Sequence, residues 1–459
     1  MFVGALAIFF FSPKIKDAGK KIFLFLILSS IYLVLRYIFL IFVFTTIAPG
    51  NLDMFWDATY MFISFLPFVL LLACFIPLKK LAIDLRCFKK FTIDKKRVLA
   101  MVMIFIFVFS IIGAYAYQDP GTEKRGRILV DELHNDWEDS SRKMDKEWYG
   151  KISTYNAYCL VEWLDYYYNV DRNMNDTLSS ALLSNYDILV IFCPTSSFSD
   201  EEINAIVTFV ENGGGLYFVG DHTNVFGMNF YLNQISEHFG IIFRYDSTHD
   251  LKTKRLSIYE SPKLFAHPIV QFTPTFNYLS SCTLDVPITS ENVMIGYGLT
   301  SAMGTYSTEH FFRSSAYAEP DVEQGLFVQT VALKYGKGRV VAFTDSTCIS
   351  NFCIFMDGYP PTNLMTMEYL NRSNLYSYVN DIFVAIGIVS LALVFYLLWK
   401  EKKAMIVFMF IVVGLLSFSV ATPLFSYINH VNYSLPEPHT DFTKVCFVED
   451  HSYFVISSR

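Results

Sequence analysis

Charge is scarce in this chain. Of 459 residues only 17% are Asp, Glu, Lys or Arg, against 53% hydrophobic and 17% aromatic, which is too apolar for an ordinary soluble enzyme of this length. Thiol and metal motifs are missing as well. The eight cysteines have no regular spacing, and Cys348 and Cys353 stand too far apart for a CxxC pair, so neither a disulfide framework nor a zinc site can be read from them. No HExxH or similar helical pair of metal ligands occurs. The net charge of −7 masks basic stretches confined to short loops, which argues against nucleic acid as a partner.

What is present in excess is apolar sequence, and it lies in blocks. "IFLFLILSSIYLVLRYIFLIFVFTTI" (22–47), "MFWDATYMFISFLPFVLLLACFI" (54–76) and "VLAMVMIFIFVFSIIGAYAY" (98–117) are each long enough to cross about 30 Å of hydrocarbon. Two more, 381–399 and 404–425, are separated only by "KEKK" and are expected to form an antiparallel hairpin. The opening "MFVGALAIFFF" is short for a span and is expected to be an incomplete first helix. Lys and Arg are retained on the cytoplasmic side, and the loops 13–21, 79–97 and 400–403 are basic whereas "APGNLD" (48–53) has neither. Alternation then places 118–380 and the tail from Ser426 outside the cytoplasm. Arg36 falls near the middle of its span, where a charge needs protein, water or a counter-ion, and Asp57 near the outer end of the next is the candidate partner. The spans otherwise lack the polar residues of an ion path, which makes a transporter the weakest alternative.

Between the spans the pattern changes to alternating strand and helix signals. "RILVDE" (127–132), "YDILVIFCP" (186–194) and "LYFVGD" (216–221) are expected to be buried parallel strands, with a Tyr-rich helix at 153–169. Ser199 and Glu202 form a capping box, Ile203, Ile206, Val207 and Val210 make one apolar stripe, and "NGGG" ends that helix. A helix through "NFYLNQISEHFG" and a strand at "IIFRYD" continue the alternation. "GLFVQTVALKYGKGRVVAFTDS" (325–346) supplies two antiparallel strands, and a last helix runs around "TNLMTMEYLNR". The expected fold is a polytopic α-helical membrane protein carrying an α/β domain. That domain is a flavodoxin-like, mostly parallel sheet with helices on both faces and an antiparallel edge addition. The expected boundaries are 1–118, 119–376, 377–425 and 426–459.

"YDILVIFCPTSSFSDEEINAIVTFVENGGGLYFVGDH" with the later "GKGRVVAFTDSTCISN" resembles the class I glutamine amidotransferase-like domains of membrane-anchored families of unknown function. It is also similar to the extracytoplasmic domains of gliding-motility and ABC-type auxiliary proteins. The resemblance covers the domain and not the spans. It implies a nucleophilic Cys on a sharp turn after the strand "LYFVG", but that turn reads Gly220, Asp221, His222. Without a thiol or hydroxyl there, glutaminase chemistry lacks its nucleophile, and Cys193, followed by Pro194, belongs to a fixed loop rather than an elbow.

A second constellation is expected at the carboxyl edge of the sheet, where open α/β sheets bind ligands. Glu132 and His134, Asp221 and His222, and Asp345 with Ser346 all follow strands. As a ligand-binding edge these six could hold a polar ligand; as hydrolase residues, Asp221, His222 and Asp345 are the catalytic candidates. His134, Asp221 and His222 are the candidate ligands of a divalent metal that would lower the pKa of bound water. The structural alternative is that Asp221 and Asp345 cap loops. His249, His267 and His310 are expected to be surface or packing residues, with Glu309 beside the last. Tyrosines in "WLDYYYN" (163–169) and aromatics in 224–233 are candidates for stacking on a saccharide or receiving a partner protein. Cys159, Cys193, Cys282, Cys348, Cys353 and Cys446 are expected outside the cytoplasm as buried free thiols, a bridge to Cys446 being the alternative. Sequons at Asn175, Asn371 and Asn432 matter only in a glycosylating host.

The function expected from all this is a multi-pass, extracytoplasmically displayed ligand-binding or assembly module. It would be a pseudoenzyme of the cell envelope, in an export, polysaccharide or surface-motility complex, with the lipid bilayer and membrane-complex proteins as partners. The alternative is a membrane-tethered, metal-dependent hydrolase.

Overall fold

The computed structural model describes residues 4–5, 8–9, 15–42, 70–72, 74–75, 94–136, 139–142, 156–251, 257–260, 263–306, 322–351, 353–401 and 403–439. In chain order the helices are α1 (Ile15–Phe42), α2 (Lys95–Ala116), α3 (Tyr158–Leu164), α4 (Ser180–Leu183), α5 (Asp200–Glu211), α6 (Met228–Ser236), α7 (Tyr359–Leu370), α8 (Val379–Leu398) and α9 (Lys403–Asn432). The strands are β1 (Thr122–Glu123), β2 (Arg127–Asp131), β3 (Asn169–Asn173), β4 (Ile188–Phe192), β5 (Gly215–Val219), β6 (Ile242–Phe243) and β7 (Asp246–Asp250). They continue with β8 (Ser257–Tyr259), β9 (Phe276–Tyr278), β10 (Leu284–Asp285), β11 (Glu291–Met303), β12 (Val322–Tyr335), β13 (Gly338–Phe343) and β14 (Arg372–Ser373). The chain divides into a helical unit, 1–115 with 380–424, and an α/β unit, 116–379 with 425–459.

Among the described residues, four helices are long and apolar enough to cross a membrane: 18–36, 95–116, 379–398 and 405–432. Their outward side chains include Phe23, Leu35, Ile388, Phe395 and Leu415, all more than half exposed. Ala100, Ile104, Val394, Leu398, Met405 and Met409 pack α2, α8 and the start of α9 together. Ser417 donates to the Phe105 carbonyl at 2.9 Å and Asn380 to that of Ala114 at 2.9 Å. Arg97 and Glu401 pair at 3.2 Å, so the basic segment at 95–97 and the turn at 400–401 share one end of these helices. Of the expected span at 54–76 only 70–72 and 74–75 are described, and Asp57 and the tail beyond residue 439 lie outside the described residues. Arg36 is half-buried in α1.

The α/β unit is a mixed fold on a ten-stranded sheet ordered β3-β2-β4-β5-β13-β12-β10-β6, with β11 on β12 and β7 on β11. The run β3-β2-β4-β5-β13 is parallel, and every pairing beyond β13 is antiparallel. The antiparallel part is therefore larger than the edge addition expected. Strand period explains how helices cover both faces. Ile128, Val130, Ile188, Val190, Tyr217, Val219, Val341 and Phe343 face one core with α3 and α7. Leu129, Leu189, Ile191, Leu216, Phe218, Val340 and Ala342 face the other with α4, α5 and α6.

Local chemistry fixes the elements nearest the site. Ser199 caps α5 by accepting from the Glu202 N–H, and Glu202 returns the bond to the Ser199 N–H at 3.0 Å. Gly338 lies so close to α5 that a Cβ would sit 2.1 Å from the Val210 carbonyl oxygen. That approach brings the α5 end onto the sheet. Two expectations differ from the structure. The Tyr-rich helix is shorter than 153–169, and "NVDRN" is instead the parallel edge strand β3, whose single apolar residue gives no alternation to read. "IIFRYD" does not continue the parallel sheet; Ile242 and Phe243 pair antiparallel to β10 at the far edge, and Asp246 opens β7, antiparallel to β11.

Arg339, wholly buried, ties together the segments where the chain enters and leaves this unit. Its guanidinium donates to the Asp119 carbonyl at 2.9 Å, the Tyr369 carbonyl at 3.2 Å, the Tyr433 hydroxyl at 2.8 Å and Asn374 at 3.0 Å, and it stacks on the Tyr369 ring. Asp119 in turn accepts from the N–H groups of Leu375 and Tyr376 at 2.9 and 2.8 Å.

Candidate functional site at the carboxyl edge

The parallel register sets the carboxyl edge. Phe192 pairs with Val219 and Val219 with Phe343, so Asp221 and Asp345 leave adjacent strands at the same level, two residues past the last pair. Asp131 ends β2 opposite Ile191, on the side of the sheet that α4 and α5 cover. The six expected residues thus fall into two groups.

The first group is built around His134. Its Nδ1 lies 2.7 Å from Asp131 and its Nε2 3.5 Å from Glu202, while Phe198 stacks on the ring at 4.0 Å. Burial opposes the imidazolium, but the hydrogen bond and charge of Asp131, with Glu202 behind, hold its pKa above the ordinary value. Asn173 orients Asp131 at 3.2 Å. Glu132 points elsewhere: it accepts from the Ser140 N–H at 3.0 Å and from Asn135 at 3.1 Å, and burial pushes its carboxyl up to about 7.

The second group gathers at β5 and β13. Asp221 accepts from the His222 N–H at 2.6 Å and from the Ser346 hydroxyl, and Asn229 clamps its backbone by bonds of 3.1 and 2.6 Å. Asp345 accepts from the N–H groups of Leu279 and Ser280 through one oxygen, at 2.5 and 2.7 Å, while its other oxygen is buried without a partner. Burial raises Asp221 to about 7, and burial together with the Asp221 charge raises Asp345 to about 6. His222, bonded to the Thr223 hydroxyl at 2.7 Å, is pulled down to about 4 by burial and is neutral at pH 7. His249 belongs with this group: burial and then His222 lower its pKa, and its Nδ1 is buried without a partner.

Backbone strain marks the same edge. Cys193, Thr223, Asn224 and Phe226 all have positive φ, between 44 and 51°, the left-handed region that costs a non-glycine residue about 1 kcal/mol or more. Cys193 was expected in a fixed loop. It does take a left-handed turn after β4, but six residues separate it from α5, so no strand-turn-helix elbow forms. Its thiol lies against the Val219 carbonyl at 3.4 Å, and burial followed by the Asp221 charge holds the pKa far above that of a nucleophilic cysteine.

Some candidates come together and others do not. Asp221, His222, Asp345 and Ser346 share one site; His134 is on the other cluster, and no group of three or more His, Cys, Asp or Glu suited to a metal exists among the described residues. The proposed His134, Asp221 and His222 ligand set is therefore not assembled, because β2 and β5 are not neighbours: β4 lies between them. His267 is buried against Glu291 at 3.2 Å, and His310 and Glu309 lie outside the described residues. The platform expected at 163–169 is core: Trp163, Tyr166 and Tyr168 are buried. The aromatics of 224–233 are different, since Phe226 is 39% and Phe230 52% exposed. Asn371 is buried and bonded to Gly126, which removes it as a glycosylation site. Cys159, Cys193, Cys282, Cys348 and Cys353 are free and buried, and Cys446 lies outside the described residues. Sequence reasoning missed Asp131, Glu202 as a partner of His134, and His249. The His134 to Asp131 spacing of three residues was the one local signal.

No family model and no curated protein matches the chain. Among solved structures, the mmIFT52 N-terminal domain is 11% identical over 55% of this chain and 99% of its own, with a TM-score of 0.39. A putative ThuA-like protein from Bacteroides uniformis is 12% identical over 54% and 92%, with a TM-score of 0.31. A cytoplasmic protein from Salmonella typhimurium is 14% identical over 55% and 100%, with a TM-score of 0.33. These likenesses are too distant to carry an inference about function.

Proposed function

We propose that this protein is a membrane-anchored recognition module whose flavodoxin-like, amidotransferase-like domain stands outside the cytoplasm and binds a partner protein or saccharide without turning it over. The observation that carries this is the loop after β5. Residues 222–227 hold three left-handed non-glycine residues, are tied to Tyr306 by its N–H bond to the Thr223 carbonyl at 2.8 Å, and present Phe226 against Tyr306 with Phe230 beside Tyr231. Exposed aromatics on a rigid, strained loop are what recognition surfaces use. Counting only the parallel strands, the order is 2-1-3-4-5, that of flavodoxin-like sheets, which bind ligands at this edge.

The chemistry at this edge favours binding over catalysis. Burial holds the Cys193 thiol protonated, and Asp221 and one oxygen of Asp345 accept from their own chain. The export, polysaccharide or surface-motility setting rests on the sequence resemblance alone, and the outward orientation on the basic loops. A metal-dependent tethered hydrolase would need its metal ligands together, yet the His134, Asp221 and His222 set is split between the two clusters.

The test pairs two measurements on the full chain in mild detergent. Phe226→Ser with Phe230→Ser is expected to leave circular dichroism unchanged while shifting the native complex to smaller mass, and glutamine is expected to release no ammonia. Ammonia release abolished by Cys193→Ala, or an unchanged complex in the aromatic variant, would overturn the proposal.

A further inference from the structure

A cavity of about 370 Å³ in the α/β unit opens at the opposite, amino-terminal edge of the parallel strands. Lys124 and Arg125 precede β2, Asp187 precedes β4, and Gly213 and Gly214 precede β5, so the end of α5 and three strand starts form its wall. Its volume falls within the range of small-molecule sites.

The lining is rich in donors. Lys124 is mostly buried and its ammonium donates to the carbonyls of Asp187 and Gly213 at 2.7 and 2.8 Å, which leaves the third of its protons for another acceptor. Arg125 keeps 63% of its side chain exposed and meets only the rim of Asp187, at 3.5 Å. The other Asp187 oxygen is taken by the Arg127 N–H at 3.1 Å. Arg125 balances the one committed carboxylate, and the ammonium form of Lys124 adds a positive charge to the lining. The second feature is apolar. The Phe209 ring packs against Gly214, where a Cβ would come within 2.4 Å of it, so glycine at this position is what lets the ring form part of the wall.

We propose that this cavity binds a small aromatic or otherwise planar molecule carrying a phosphate or carboxylate, the anionic group on Lys124 and Arg125 and the ring against Phe209. A cation does not fit, since no lining carboxylate is free to receive it. Guanidinium and ammonium groups make strong charge-assisted bonds to such oxygens. Burial pulls Lys124 down to about 7, with Asp187 opposing and Arg339 reinforcing that shift, so an arriving anion restores to the ammonium an interaction that desolvation took away. This site is separate from the carboxyl-edge surface and stands whether or not that surface binds a partner.

Calorimetric titration of the full chain in detergent with phenyl phosphate tests it, with phenol and benzylamine as neutral and cationic counterparts of the same ring. Phenyl phosphate is expected to bind saturably and the other two at least about tenfold more weakly, the worth of one charge-assisted contact. Arg125→Ala is expected to weaken phenyl phosphate about tenfold without changing the unfolding temperature, because this side chain is mostly in water. Thr208→Trp, at an exposed position on the cavity rim, is expected to abolish binding by filling the space. Three results would overturn the proposal: no saturable heat from phenyl phosphate up to millimolar concentration, equal binding of benzylamine, or undiminished binding by both variants.

Discussion

Replacing Asp221 by Asn should make the α/β unit more stable at neutral pH and leave it almost unchanged in acid. The carboxyl of Asp221 is raised from 3.8 to about 7 by burial. A raised acid costs stability when ionised: between pH 4 and 7 the folded state holds a proton that the unfolded chain has released, so stability falls as pH rises through this window. Three units at ~1.4 kcal/mol each make the full penalty on the order of 4 kcal/mol above pH 7. Asparagine carries no charge to bury. Its carbonyl oxygen can keep the bond from the His222 N–H, and the Ser346 hydroxyl can reverse its role and accept from the new amide. His222 runs the other way, since a histidine held at about 4 gives stability that is lost as pH falls from 6.5, but both proteins share it and it cancels in the difference. Removing the Asp221 charge also relaxes Asp345, which adds to the gain. With roughly 2–4 °C per kcal/mol, melting in detergent should show the variant on the order of 10 °C higher at pH 8 and within about 1 °C at pH 3. A difference independent of pH, or a variant that melts lower at pH 8, would refute the burial of a destabilising charge here. A carboxylate retained at such a cost fits a functional edge better than a structural cap.

Two more outcomes follow from contacts already described. Arg339→Met should cost on the order of 3–5 kcal/mol in urea unfolding and make the segments around Asp119 and Tyr433 the first sites of proteolysis, because three buried partners lose their donor together. Ser199→Ala removes both bonds its side chain makes with Glu202 and should cost about 1 kcal/mol by the same assay.

Periodicity decided much of this protein from sequence. Runs of apolar residues long enough for hydrocarbon mark α1, α2, α8 and α9, because a helix in lipid must satisfy its backbone internally and expose only apolar side chains. The capping box at Ser199 and the glycines at 213–215 fixed the two ends of α5, and the buried strands β2, β4 and β5 were legible as short continuous apolar runs between turn signals. These are local rules, and one stretch of chain is enough to apply them. The edge strand β3 and the two-residue β6 were illegible, since an edge strand needs little apolar alternation and a short one too few residues to show any.

The sites belong to the tertiary structure. Which carboxylates become neighbours depends on strand order and register: β5 beside β13 puts Asp221 next to Asp345, 124 residues away in sequence, while β4 separates Asp221 from His134. Whether an aromatic cluster is core or surface depends on which layer covers it, so Trp163 and Tyr168 are buried while Phe226 and Phe230 are displayed. The amino-edge cavity requires Lys124, Phe209 and Gly214 to meet across three strand starts, and no spacing along the chain encodes that meeting. Local sequence sets what each segment can form by itself; long-range packing decides what its side chains face, and therefore what charge, exposure and chemistry they have.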